Sequence, residues 1–120
     1  MKVLIIDDDA DIRFVAAMSL RAGGAIDVVE ASGGLDGVCK AREEQPDVIL
    51  LDMMMPRMDG AQTIAALRMQ RETATTPVIF LTAKTIVAEI QAMKDLGAAG
   101  VLIKPFDPRT LAADVLALLT

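Results

Sequence analysis

Four short stretches of this chain end in residues able to do chemistry. Asp7, Asp8 and Asp9 follow the apolar run Val3 to Ile6, and Asp52 follows Val48 to Leu51. Thr82 follows Val78 to Leu81, and Lys104-Pro105 follows Val101 to Ile103. An ionised carboxylate at the end of a buried-looking run is costly unless a cation or hydrogen bonds compensate it. Asp52 opens the segment DMMMPRMDG, residues 52–60, in which Pro56 and Asp59-Gly60 turn the chain sharply. Brought to one edge, these groups read as a divalent-cation site beside a phosphate site. Hard carboxylate oxygens suit Mg²⁺ (or Mn²⁺), and Mg²⁺ takes few protein ligands. Without a cation, close carboxylates repel and one of them holds a proton. Lys104 offers a positive charge and Thr82 a hydroxyl donor to phosphoryl oxygens, which leaves one carboxylate free to act as a nucleophile. Each residue also has a plainer reading. The Asp52 strand simply stops at a helix cap, Asp9 caps the first helix, and Thr82 is a turn residue. Lys104 is a solvated surface lysine, although its flanks Ile103 and Pro105 look buried.

The elements that would position these groups alternate between two periods. Strand-like runs at Val3 to Ile6, Ile26 to Val29, Val48 to Leu51, Val78 to Leu81 and Val101 to Ile103 alternate with helical spacing. The helices fall at Ile12 to Leu20, Leu35 to Glu44, Ala61 to Met69, Ile86 to Leu96 and Leu111 to Leu119. Continuous rather than alternating apolar runs indicate strands buried on both faces. Five strand–helix pairs in strict alternation predict an α/β fold with a parallel sheet covered by helices, and right-handed crossovers restrict it to a few doubly wound forms. All strands then point the same way, so the four chemical groups share one edge. The second strand contributes only Glu30-Ala31-Ser32. Gly23-Gly24, Gly33-Gly34 and Gly97 punctuate the helices.

The composition narrows the function. A chain of 120 residues is one domain by length, 1–120, and 53% apolar residues argue against disorder. A net charge of −5 argues against direct nucleic-acid binding. With no histidine and one cysteine, His-based catalysis, His-ligated metals, a structural zinc and an internal disulfide are excluded. Cys39, flanked by Lys40-Ala41-Arg42, reads as a small buried hydrophobe within a helix. Met1-Lys2 leads into a strand without a signal-peptide succession. No apolar stretch nears the roughly 20 residues of a membrane span. A cytoplasmic protein without membrane contact is expected.

The pieces IIDDD (5–9), LLDMMMPRMDG (50–60), FLTA (80–83) and LIKPF (102–106), in this order and spacing, resemble the response-regulator receiver domains of two-component signalling, chemotaxis regulators among them. The resemblance covers essentially the whole chain. It implies a flavodoxin-like (βα)5 three-layer sandwich with strand order 2-1-3-4-5 and chemistry at the topological switch point. It implies that Asp52 accepts a phosphoryl group from a histidine kinase or histidine phosphotransferase. Asp8, Asp52 and the backbone carbonyl of Met54 would ligate Mg²⁺, with Asp7 acting mainly through a bound water. Lys104 would contact the phosphoryl group, Thr82 would reorient to hydrogen-bond it, and the Lys104–Pro105 bond would be cis. The domain would catalyse its own phosphorylation and dephosphorylation and control an output domain or effector, as a monomer or a phosphorylation-dependent dimer. The chain departs from the family at Val101, where an aromatic is common; a β-branched side chain has few rotamers to switch between. Switching would then run through the loop after Thr82 and the helix beyond it. Met54 and Lys84 occupy positions that tune phosphate lifetime in the family.

Ile12 and Val15 of the first helix are equally readable as core and as a surface for the phosphodonor. Leu111, Val115 and Leu118 form one stripe, with Leu116 and Leu119 beside it as a possible output or dimer surface. Two other classes compete. Asp7-x-Asp9 with a Thr and a Lys also resembles a haloacid-dehalogenase-like phosphatase. That family prefers Thr or Val where Asp11 stands, and it leaves DMMMPRMDG unexplained. A flavin or nucleotide carrier would want a Gly-rich loop after the first strand, where acids stand instead. A receiver that has lost its chemistry and serves only as an interaction module would not need all four motifs.

Overall fold

Residues Val3 to Ile6 and Val48 to Leu51 are fully buried, and both runs form central strands of one parallel sheet. The computed structural model describes residues 1–24, 26–83 and 85–120; Lys84 therefore lies outside the described residues. In chain order the elements are β1 (Lys2–Ile6), α1 (Ala10–Ala22), β2 (Asp27–Ala31), α2 (Gly34–Glu44), β3 (Val48–Asp52) and α3 (Gly60–Met69). There follow a 3₁₀ turn (Arg71–Thr73), β4 (Val78–Thr82), α4 (Val87–Asp95), β5 (Gly100–Ile103) and α5 (Leu111–Leu119). The strand order is β2-β1-β3-β4-β5, with every neighbouring pair parallel. This is the flavodoxin-like arrangement expected above.

The two-residue strand period sorts the apolar side chains into two cores. Leu4, Ile6, Ile49, Leu51, Val78 and Phe80 meet Ala41 of α2, Ile64 and Leu67 of α3 and Met93 of α4. Val3, Ile5, Val48, Leu50, Ile79 and Leu81 meet Ala16, Ala17 and Leu20 of α1 and Leu111 and Val115 of α5. The sheet is thus covered on both faces, which is why its strands read as continuous apolar runs. Leu116 stays exposed, whereas Leu118 and Leu119 pack against the second core, so Leu119 is not a free surface residue.

Cys39 corrects an expectation: it is in α2 but exposed. The inward positions of that helix are Gly34, Gly37 and Ala41, with Val38 partly buried. Residue 39 lies about 100° around the helix from Val38 and turns away from the sheet. Among the described residues no helix is long and apolar enough to cross a membrane.

Candidate functional site

Register delivers the chemistry to one edge. Ile6 pairs with Leu51, Asp52 with Leu81, and Thr82 with Ile103. The next residues, or the pairs themselves, are Asp7, Asp52, Thr82 and Lys104. Asp7, Asp52 and Thr82 are buried, while Asp8 is exposed at the rim. The Lys104 ammonium bridges two acids, 2.9 Å from Asp7 Oδ2 and 3.1 Å from Asp52 Oδ1. The Lys104 backbone N–H donates to the Thr82 carbonyl at 2.7 Å, which ties the β5 loop to the end of β4. The Lys104–Pro105 peptide is cis, as the resemblance implied. Ile103 and Pro105 are exposed, contrary to their buried look in the sequence. The ammonium is held by its two carboxylates, not by buried flanks.

The other oxygen of Asp7 accepts from the Asp9 backbone N–H at 2.9 Å. Asp9 itself caps α1, its carboxylate accepting from the N–H groups of Asp11 and Ile12. Asp9 is therefore spent on the helix, and the Asp-x-Asp pattern of the phosphatase reading loses its second acid. At the end of β3, Asp52 Oδ1 accepts a long bond from the Met54 N–H, 3.4 Å. Asp59 and Gln62 close a capping box on α3. Gly60 sits where a Cβ would lie 2.8 Å from Met53 Cα and 2.9 Å from Asp52 O, so only glycine lets the loop fold back on the strand end. The Gly60 N–H donates to the Met53 carbonyl at 2.8 Å. The DMMMPRMDG segment is thus a rigid return loop that fixes Asp52.

Sequence reasoning missed Arg13. Its Nη1 donates to the Asp7 carbonyl at 2.7 Å, and its Nε lies 3.5 Å from Glu30 Oε1. Through it the second strand, whose only rim-end residues in the sequence are Glu30-Ala31-Ser32, reaches the site by Glu30. A side chain that grips a backbone carbonyl six residues before it and an acid on another strand leaves no residue-type pattern in the sequence.

Burial pushes the Asp52 carboxyl up to about 6 from its ordinary 3.8, and the neighbouring Asp7 charge adds to the rise; Lys104 opposes both. Burial alone would depress the Lys104 ammonium, but its bonds to Asp7 and Asp52 outweigh that and hold it above its usual range. Asp7, Asp8 and Asp52 each place a carboxylate oxygen within 4.8 Å of the others. Three carboxylates against one ammonium leave the rim with excess negative charge. An all-oxygen donor set with unrelieved repulsion fits a hard divalent cation such as Mg²⁺. Met54, two residues beyond Asp52, is 66% exposed, so its side chain leans outward from the loop. Val101 is half-buried against the α2–α3–α4 core.

Beside the rim, a cleft of about 430 Å³ is lined by Ile12, Val15, Ala83, Lys104, Pro105 and Phe106. Val15 is exposed and Ile12 half-buried, so of the two readings for α1 the cleft wall holds better than the core, which takes Ala16, Ala17 and Leu20.

The response regulator receiver domain family matches residues 3–116 of the chain. The chain is 40% identical to the DNA-binding dual master transcriptional regulator RpaA of Synechocystis sp. over 118 residues, covering 98% of this chain and 48% of that protein. It is 37% identical to the alkaline phosphatase synthesis transcriptional regulatory protein PhoP of Bacillus subtilis, with the same coverage. The chain thus spans about half the length of these curated relatives. Among solved structures, the chemotaxis response regulator CheY4 of Vibrio cholerae superposes with a TM-score of 0.90 at 37% identity, covering 98% of this chain and 97% of that one.

Proposed function

The chain belongs to the response-regulator receiver domains of two-component signalling, and from that premise we propose that residues 1–120 form one phosphoacceptor domain in which Asp52 is the nucleophile. The observation that carries this reading is the Lys104 ammonium shared by Asp7 and Asp52 on a rim of three convergent carboxylates.

In the proposed reaction a carboxylate oxygen of Asp52 attacks the phosphorus of a phosphohistidine in line. The O–P bond forms as the P–N bond breaks, and the imidazole leaves with the electron pair and takes up a proton. The donor histidine comes from a partner, a histidine kinase or histidine phosphotransferase, since the chain has none. Asp8, Asp52 and the Met54 carbonyl would hold Mg²⁺, with Asp7 beside them, and the bound ion would supply charge neutralisation for the transferring group. Asp7 keeps Lys104 aimed at the site. Lys104 pairs with a phosphoryl oxygen as Asp52 gives up its own charge to the new bond. Thr82 donates its hydroxyl to another oxygen, and the resulting contacts favour a second conformation that an output domain or effector reads. Positioning and electrostatics supply the rate, with the domain's own residues doing the catalysis. Hydrolysis returns the Asp52 carboxylate and inorganic phosphate and resets the switch. The cleft beside α1, ending at Lys104, suits the approach of the donor. We assign the domain to the cytoplasm, where such a kinase would meet it.

Mass spectrometry after incubation with Mg²⁺ and acetyl phosphate tests the assignment. One phosphoryl adduct on the parent and none on Asp52→Asn is the expected result. An equal adduct on both would move the nucleophile to another carboxylate, Asp7 first.

A further inference from the structure

Asp8 is the exposed member of the carboxylate trio, and its side chain makes no hydrogen bond to a described residue. Asp7 is held by Lys104 and the Asp9 N–H, and Asp52 by Lys104 and the Met54 N–H. What orients Asp8 must act through its backbone. The peptide unit on its N-terminal side carries the Asp7 carbonyl, and Arg13 Nη1 grips that oxygen at 2.7 Å. On its C-terminal side, Asp9 is fixed as the cap of α1. The guanidinium is itself aimed by Glu30, 3.5 Å from Nε, and the Arg13 side chain is only 17% exposed. Lys40 Nζ donates to the Glu30 carbonyl at 2.6 Å and steadies the β2 end that presents this acid. The planar guanidinium presents Nη1 and Nε in a fixed fork, so one side chain reaches the Asp7 carbonyl and the Glu30 carboxylate in a set geometry.

We infer that Arg13 is a positioning residue for the cation site: by clamping the Asp7–Asp8 peptide between α1 and Glu30, it aims the Asp8 carboxylate at the metal. This rests on the Mg²⁺-dependent reading given above. Outer residues that orient metal ligands commonly change affinity by about ten-fold or more when removed.

The sign of the effect separates positioning from charge. Replacing Arg13 by Met removes a cation near the site and frees the negative charge of Glu30. Both changes would tighten a bound cation by Coulomb's law. Loss of positioning would loosen it. The experiment is Mn²⁺ binding by electron paramagnetic resonance, competed with Mg²⁺, on the parent, Arg13→Met and Arg13→Lys. Thermal melts without metal and the acetyl-phosphate rate against Mg²⁺ concentration accompany it. Expected are Mn²⁺ and Mg²⁺ affinities about ten-fold weaker in Arg13→Met and partly recovered in Arg13→Lys. The phosphorylation rate should return towards the parent's at saturating Mg²⁺. Unchanged or tighter metal binding in Arg13→Met would overturn the inference and leave the proposed function standing, whether or not the melting temperature falls. A parent that binds neither cation would overturn the proposed function and this inference with it. If Arg13→Met fails to fold, weaker binding in folded Arg13→Lys carries the inference, and parental binding there overturns it.

Discussion

β3–α3 and β4–α4 are built from similar strands and very different helices. Both strands are buried along their whole length and each ends in a site residue, Asp52 or Thr82. Beyond Asp52 the chain is over-determined. A capping box opens α3, Gly60 wedges its first turn against the strand end, and Thr63, Ile64 and Leu67 are buried. Beyond Thr82, α4 has no side-chain cap and buries only Met93. Its N-cap residue Ile86 and first residue Val87 are 62% and 81% exposed. Few buried apolar contacts and a missing cap are the physical content of a locally weak element. The comparison teaches that Asp52, the proposed nucleophile, is mounted on the rigid half of the rim and Thr82 on the yielding half. A conformational response to phosphorylation then has its easiest route through α4. Val101 packs beside that helix in the same core but, being β-branched, has little freedom to swing.

The largest expected effect comes from attacking the rigid half. Gly60→Ala drives a methyl group into Met53 Cα, Asp52 O and Phe80 Cε1, all within 2.9 Å, and the first two are backbone. We expect a loss of about 2–3 kcal/mol in urea unfolding. Val87→Ala, at the start of α4, should stay within about 0.5 kcal/mol of the parent. Equal losses at the two positions would break the comparison.

Asp52→Asn comes next and acts in the opposite direction. The folded chain holds the Asp52 proton more tightly than the unfolded chain between 3.8 and about 6. Stability therefore falls as pH rises through that window, and the deficit is complete above it. Without metal at pH 7 to 8, the variant should be more stable than the parent by about 1–2 kcal/mol, less than the full shift gives because solvent at the rim screens the charge. The gain should shrink towards pH 4 and also when Mg²⁺ is added to the parent. A variant no more stable at pH 8 than at pH 4, relative to the parent, would refute the raised carboxyl. The same titration predicts that acetyl-phosphate reactivity falls as pH drops through about 6 at low Mg²⁺ and holds to lower pH when Mg²⁺ is saturating.

What was legible in the sequence follows the same division. β1, β3 and β4 announce themselves because strands buried on both faces need unbroken apolar runs. β2, at the sheet edge, is half-exposed and runs Asp27–Ala31, against the Ile26 to Val29 that its apolar residues predict. The rim residues were readable because strand ends in a parallel sheet must share an edge. Lys104 lies on the rim because it follows the fifth strand, but its flanks Ile103 and Pro105, which look buried in the sequence, are exposed, and two distant acids hold its ammonium. Arg13 was invisible because its partners are a carbonyl and an acid set in place only by the fold. Cys39 misled because one residue of helix turns a side chain by about 100°, and composition says nothing about which way. In α1 nearly every position from Ile12 to Met18 but Arg13 is apolar, so no face stood out. The fold buries the small Ala16 and Ala17 and leaves Phe14 63% exposed.

The smallest effects concern the caps, and they sharpen the comparison most directly. Asp59→Ala removes the acceptor of the Gln62 N–H and half of the capping box, which should cost about 1 kcal/mol. Ile86 stands at the same position of α4 with an extended backbone, φ −72° and ψ 127°, and no side-chain hydrogen bond. That backbone is the one a capping serine adopts, and Ile86 gives up little by leaving since its side chain is largely in water. Ile86→Ser should therefore stabilise the protein by about 0.5–1 kcal/mol. Amide exchange in α4 should slow, while exchange in α3 stays as it is. A gain in α4 alone would show that the yielding half yields for want of a cap. No change in exchange would place its weakness in the single buried Met93, and the fill of the groove between α4 and the Met53-Met54 loop would be the next target.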